Sequence, residues 1–251
     1  MGVVIVLKTK EEIEIMRRAG QVVSKTLDMV GECIKPGMTT GQLDQLVEEF
    51  IRDQDAIPGF KNYRGFPASA CISIDDEVVH GIPGNRVIQD GEIVSVDVGS
   101  IVDGFYGDSA RTFAVGEVSD EKSDLMDNTG RCLQAAIDIA QKGNKLGQIS
   151  AAIQQTAESE GYGVVRALVG HGIGRNMHED PQVPNFGSAE AGPVLESGMV
   201  LAIEPMINLG THKVYTKPDG WTFVTADGAP SAHFEHTVAI TDEGPDVLSL
   251  S

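Results

Sequence analysis

Apolar residues recur at helical spacing in two pairs of stretches, and each pair is followed by β-rich runs. Thr9-Lys10-Glu11-Glu12 reads as a capping box. Ile13, Met16, Ala19, Val23, Leu27 and Val30 then mark one face of a helix that Lys35-Pro36-Gly37 ends. A second helix starts near Thr40 and carries Leu43, Leu46, Val47, Phe50 and Ile51. A third opens at Ser119-Asp120-Glu121, with its acids at the end the helix dipole favours. It holds Leu125, Leu133, Ile137 and Ala140 and stops at Gly143, and a fourth runs from Leu146 to Glu160. Strands are expected over 71–79 with a turn at Asp75-Asp76, and over 92–115 as a hairpin turning at Val102-Asp103-Gly104. Further strands are expected over 164–169, 199–207, 213–216, 221–225 and 234–240, with loops over 58–70 and 178–196. The run Val3-Val4-Ile5-Val6-Leu7 is too short for a secretory core and lacks a basic start, so it reads as a strand of a cytoplasmic protein.

The pattern repeats. Gly37-Met38-Thr39-Thr40-Gly41-Gln42-Leu43 resembles Gly143-Asn144-Lys145-Leu146-Gly147-Gln148-Ile149 at an offset of 106. Gly91 precedes Asp97 by six positions and Gly198 precedes Glu204 by six, an offset of 107. His80-Gly81-Ile82 and His171-Gly172-Ile173 repeat at an offset of 91. Each half therefore reads as two helices followed by strands that end in acids, a duplicated α+β unit about a pseudo-twofold axis.

Composition narrows the function. The net charge is −18, from 19 Lys and Arg against 37 Asp and Glu, which disfavours nucleic acid and anionic membranes as partners. No apolar run reaches the roughly 20 residues that span a bilayer. Cys33, Cys71 and Cys132 are odd in number and form no C-x-x-C pair, so neither a disulfide framework nor a thiolate zinc site is indicated.

Four acids interrupt apolar, strand-like sequence: Asp97, Asp108, Glu204 and Glu235. A carboxylate buried in such sequence needs a counter-charge, and Arg111 is the only obvious local cation for Asp97 and Asp108. A divalent metal pair explains the set better, and four carboxylates with one imidazole suit Mn, Co, Fe or Zn. That imidazole is His171, freed to face a cavity by Gly170, Gly172 and Gly174. Strand alternation sends Glu235 and His236 to opposite faces. His212, His233 and His236 lack a glycine-rich setting and read as ordinary core or surface residues.

The ordered set Asp97, Asp108, His171, Glu204, Glu235 resembles the metal ligands of the type I methionine aminopeptidases. The words His80-Gly81-Ile82-Pro83, Asp103-Gly104-Phe105, Gly170-His171-Gly172-Ile173-Gly174, Ile203-Glu204-Pro205-Met206 and Glu235-His236-Thr237 match as well. The resemblance covers nearly the whole chain. It implies the pita-bread fold: α+β, with two pseudo-twofold halves whose helices cover a curved, mostly antiparallel sheet. It implies one catalytic domain over 1–251 with halves 10–118 and 119–245. It also implies two divalent ions (Co, Mn, Fe or Zn) bridged by Asp108 and Glu235, one chelated by Asp97 and the other held by His171 and Glu204. The reaction it implies is attack of a metal-activated water on the scissile carbonyl, with Glu204 taking a proton, His178 stabilising the tetrahedral species and His80 contacting the substrate backbone.

By the same resemblance, Phe60, Tyr63, Phe66, Cys71, Met177 and Trp221 form the pocket for a methionine side chain. Met177 is often Phe and Val79 often Cys in that family, which leaves the fine shape of the pocket open. Expected substrates are N-terminal Met peptides and nascent chains with a small second residue, cleaved in the cytoplasm by a monomer, with the ribosome as a docking partner left open. Two other readings stand beside this one: an Xaa-Pro aminopeptidase or prolidase with the same ligands, and a non-catalytic binding protein on the same fold.

Overall fold

The computed structural model describes residues 4–250. Among them are four α-helices, α1 (Lys10–Cys33), α2 (Thr40–Asp53), α3 (Asp120–Ile139) and α4 (Leu146–Glu158), and a 3-10 turn at Tyr63–Gly65. The strands are β1 (Ile57–Pro58), β2 (Ala70–Ile74), β3 (Glu77–Val79), β4 (Glu92–Val102), β5 (Phe105–Val115), β6 (Gly163–Val164), β7 (Val169–Gly172) and β8 (Glu179–Pro184). They continue as β9 (Val200–Ile203), β10 (Met206–Asn208), β11 (Val214–Thr216), β12 (Phe223–Thr225), β13 (Ser231–His233), β14 (His236–Thr241) and β15 (Gly244–Val247). Helices over antiparallel sheet are the α+β pita-bread architecture. Thr9 and Thr39 close the capping boxes of α1 and α2.

The long hairpin β4–β5 pairs over all eleven residues of each strand, and β4 takes β2 and β1 on its other edge. The apolar faces of α1 and α2 cover this sheet: Val23, Leu27, Leu43, Val47 and Ile51 pack with Ile72, Val94 and Val96. The faces of α3 and α4 cover the second sheet, ordered β15-β14-β9-β7-β8, through Leu125, Leu133, Ile149 and Ile153 against Leu201, Ile203 and Val238.

The repeat in the sequence is a repeat in the backbone. Gly37 donates to the Ile88 carbonyl (2.9 Å) and Gly143 to that of Leu195 (2.9 Å). Thr40 donates to Arg86 and Leu146 to Pro193; Gly41 donates to Gly84 and Gly147 to Ala191. The glycines are needed for this approach. A Cβ on Gly41 would lie 2.9 Å from the Gly84 oxygen, and one on Gly147 2.2 Å from that of Ser188. Each helix pair is thus buckled to the loop before its own acid-bearing strand.

Several expected elements differ. The expected strand 164–169 is only β6, and β7 begins at its end. The runs 199–207 and 234–240 both break: β9 ends at Ile203 and β10 starts at Met206, while β13 ends at His233 and β14 starts at His236. β9 and β14 belong to the five-stranded sheet, β10 and β13 to a three-stranded one, so the chain changes sheets at each break. Pro205, which has no N–H for a ladder, sits at the first corner.

Residues 178–196 contain β8, an edge strand where Pro181 and Pro184 are tolerated. Residues 4–7 form no strand; Val4, Val6 and Leu7 are exposed, and Val3 lies outside the described residues. No described helix is long and apolar enough to cross a membrane.

Candidate metal centre and its pocket

The site lies where the two sheets meet. Asp97 sits in the middle of β4, opposite Ala110, and Asp108 sits on β5, opposite Gly99. Residues 97 and 99 share a face, so Asp108 falls on the diagonal from Asp97. Glu204 and Glu235 come from the two sheet-changing corners. The pairs Ile203–His236 and Met206–His233 flank them, which sets the corners side by side. The corner at 233–237 is stitched to β5 of the first half. Glu235 N–H donates to the Ala110 carbonyl (2.9 Å), and Ser109 Oγ donates to the Glu235 carbonyl. Thr237 Oγ1 donates to the Asp108 carbonyl (2.7 Å) and accepts from its N–H (3.1 Å).

Ligand atoms of Asp97, Asp108 and Glu235 lie within 4.8 Å of one another. His171 Nε2 is 4.0 Å from Asp108 Oδ2 and 3.6 Å from Glu204 Oε1. The His171 ring is turned by its Nδ1, 2.9 Å from the Gly172 carbonyl. Gly170 leaves room for this, since a Cβ there would meet the Ala202 oxygen at 2.4 Å and Glu204 Cγ at 3.3 Å. The five residues of the ordered set are therefore neighbours in space.

Their electrostatics suit a cation. Asp97 Oδ1, Asp108 Oδ1 and Glu235 Oε1 are buried without a hydrogen-bond partner among the described residues. Arg111, expected from sequence as their counter-ion, instead pairs with Asp28 at 3.0 Å. It projects from β5 opposite Val96, one residue out of phase with Asp97, so alternation sends it to the other face. Burial pushes the Asp97 carboxyl up to about 7. Burial, then the neighbouring carboxylates, pushes Asp108, Glu204 and Glu235 well above their ordinary values. Burial lowers His171 to about 4, with His178 adding to it. Neutral imidazole beside crowded, unpartnered carboxylate oxygen is a donor set suited to divalent ions.

A cavity of about 270 Å³ opens onto the cluster. Phe60, Tyr63, Phe66, Cys71, Met177 and Trp221, all expected at a side-chain pocket, line it together with His80 and His178. Phe66 and Trp221 meet edge to face at 5.1 Å. Cys71 pairs directly with Asp97 across β2–β4, and burial holds its thiol well above the ordinary value. His80 sits edge-on to Trp221 and Phe223, and burial lowers it to about 4. His178 stacks on Tyr63, whose hydroxyl is 2.9 Å from Nδ1, and its ring centroid is 4.2 Å from that of His171. Burial, then Arg64, lowers its pKa. The loop carrying Met177 and His178 is held by Glu179, which accepts from Asn176 N–H (3.0 Å) and from buried Lys8 Nζ (2.7 Å).

Sequence reasoning passed over three contributors. Gly99 leaves room for Phe60 and Met177, since a Cβ there would lie 2.7 Å from Phe60 and 2.9 Å from Met177. Arg64 lines the mouth. His233, set aside as ordinary core, is buried with Nε2 4.0 Å from both Glu204 Oε2 and Glu235 Oε2. His236, likewise read as an ordinary residue, lies with its Nδ1 2.9 Å from Ser249 Oγ.

Two acids on paired strands, two at sheet corners and an imidazole around one cavity are the arrangement of a metal-dependent hydrolase on a pita-bread fold. The sequence model of metallopeptidase family M24 matches residues 14–242, and the chain belongs to that family. Its relatives in that family include methionine aminopeptidases. The chain is 53% identical to the methionine aminopeptidase of Clostridium acetobutylicum, over 98% of this chain and 99% of that protein. It is 50% identical to methionine aminopeptidase 1 of Bacillus subtilis, with the same coverage of 98% and 99%. The crystal structure of the Thermotoga maritima methionine aminopeptidase superposes with a TM-score of 0.97 at 45% identity, covering 99% of this chain and 100% of that one. Prolidase from Pyrococcus furiosus shares the fold alone, with a TM-score of 0.75 at 22% identity.

Proposed function

We propose that this chain is a metal-dependent aminopeptidase that removes N-terminal methionine from polypeptides whose second residue is small. The observation that carries the reading is the buried group of unpartnered carboxylate oxygens at the end of an apolar cavity. Asp97, Asp108 and Glu235 would hold one divalent ion, and His171 and Glu204 a second that shares Asp108 and Glu235. When bound, such a pair polarises a carbonyl and makes water a competent nucleophile near neutral pH.

The chain's own residues do the rest. The methionine side chain enters between Phe66, Trp221, Phe60 and Met177, where a flexible thioether fits an aromatic and sulfur-lined wall. The substrate ammonium sits against the acidic cluster. His80, neutral at pH 7, hydrogen-bonds the substrate backbone. With the Tyr63 hydroxyl donating to Nδ1, His178 carries its proton on Nε2 and donates it toward the developing oxyanion. Glu204, held ionised by the cations it would bind, accepts the proton released as water attacks.

The test is hydrolysis of Met-Ala-Ser against Ala-Pro-Ser, before and after chelation and with Mn(II) or Co(II) restored. Metal-dependent cleavage of the Met peptide alone is expected. Preference for the Pro peptide moves the assignment to the prolidase branch, and no cleavage of either favours a binding protein. We also infer a single catalytic domain whose halves, 10–118 and 119–245, are inactive apart, because each supplies two acids. The setting we infer is the cytoplasm, with nascent chains as substrate and a monomer as the working form. Sedimentation of purified enzyme with and without ribosomes checks the last two.

A further inference from the structure

Glu204 is flanked by two imidazoles, one at each oxygen. His171 Nε2 lies 3.6 Å from Oε1, and His233 Nε2 lies 4.0 Å from Oε2 and equally 4.0 Å from Glu235 Oε2. His233 is 2% exposed, yet neither ring nitrogen has a hydrogen-bond partner among the described residues. Its backbone is fixed at the end of β13: the N–H donates to Thr112 Oγ1 and the carbonyl accepts from the same hydroxyl, both at 2.9 Å. A polar ring so placed is aimed at the two corner acids by its own main chain. A carboxylate shift of about 1 Å closes the gap to hydrogen-bond length.

We propose that His233 is a positioning residue of the metal centre. Its Nε2–H donates to Glu204 Oε2, leaving Oε1 beside His171 for the ion, and it limits the swing of Glu235. The proposal rests on the cluster being a metal centre. Partners of this kind around ligating carboxylates typically change metal affinity 10–100-fold when removed.

The test compares Co(II) binding, by calorimetry and visible absorption, in the wild-type chain, His233→Ala and His233→Gln. The expected result is affinity for one ion about 10–100-fold weaker in the Ala variant, with a shifted absorption band. The Gln variant, whose amide can donate from the same place, should stay within about threefold of wild type. Nitrogen-15 NMR of the zinc-loaded wild type, which needs no variant to fold, should show His233 protonated at Nε2. Wild-type affinity and spectrum in His233→Ala overturn the proposal. So does a Gln variant as weak as Ala, or a bare Nε2 in the zinc form, which would make the ring a direct ligand. A wild-type chain that binds no ion overturns the metal centre itself, and the proposal with it.

Discussion

In the first half the acids ride on an unbroken ladder; in the second they stand at corners. Asp97 and Asp108 belong to β4 and β5, paired residue for residue, so their spacing is a property of the sheet. Glu204 and Glu235 occupy the gaps where the chain leaves one sheet for another. Yet the buckles that tie each helix pair to its strand are the same, hydrogen bond for hydrogen bond. The frame is shared and the acid-bearing segments differ. The first half supplies rigidity, and the second supplies the reach that lets acids from distant sequence converge.

Removing one acid from each half is the strongest way to probe this division. Asp108→Asn and Glu235→Gln should each lower kcat/KM on Met-Ala-Ser by roughly a thousandfold, the several kcal/mol that a Lewis acid contributes. A large loss in only one would mean that one half holds the metals alone. Next is Lys8→Met, which strands Glu179 in a nearly buried site (side-chain exposures 3% and 9%). Denaturant unfolding should show a loss of about 3–5 kcal/mol. Burial alone would raise the Glu179 carboxyl, but its bonds from Lys8 and Asn176 hold it below the ordinary value.

The buckles themselves can be compared. Gly147→Ala, whose Cβ would sit 2.2 Å from a carbonyl oxygen, should destabilise more than Gly41→Ala, at 2.9 Å, within a range of about 1–3 kcal/mol by thermal melting. Equal effects would mean the two buckles yield alike.

A different readout of the same cluster is pH dependence. In chelated protein the cluster acids titrate above their unfolded values, Asp97 at about 7 instead of 3.8. The folded chain then holds more protons than the unfolded one, so its stability is full below the unfolded value and falls as pH rises through the folded one. Melting temperature should drop between pH 5 and 8, on the order of 2–4 °C for each kcal/mol lost. Saturating divalent metal should remove that fall, and an unchanged slope would place the ions elsewhere.

Much of this was legible in the sequence because it is local. Threonine caps, glycine stops and helical spacing fixed α1 to α4 within a few residues of where they lie. The five-residue set stood out because acids in apolar runs are costly and therefore informative. What escaped depends on tertiary pairing. Nothing in Met199–Asn208 or Ala232–Thr241 announces that the chain changes sheets midway. β8 was hidden by two prolines that only an edge strand accepts. The pairing of Arg111 with Asp28 follows from which face of β5 it leaves, and His233 reads as core until its neighbours are seen.

The stitching of β5 to the 233–237 corner has a consequence for biosynthesis. Asp97 and Asp108 emerge from a translating ribosome more than 120 residues ahead of Glu235. Until that last segment arrives and Thr237 clasps the Asp108 main chain, the early-made acids lack the two later ones. Catalytic competence is therefore withheld until residues 233–237 have been made, and a chain truncated before residue 233 would carry four helices and no enzyme.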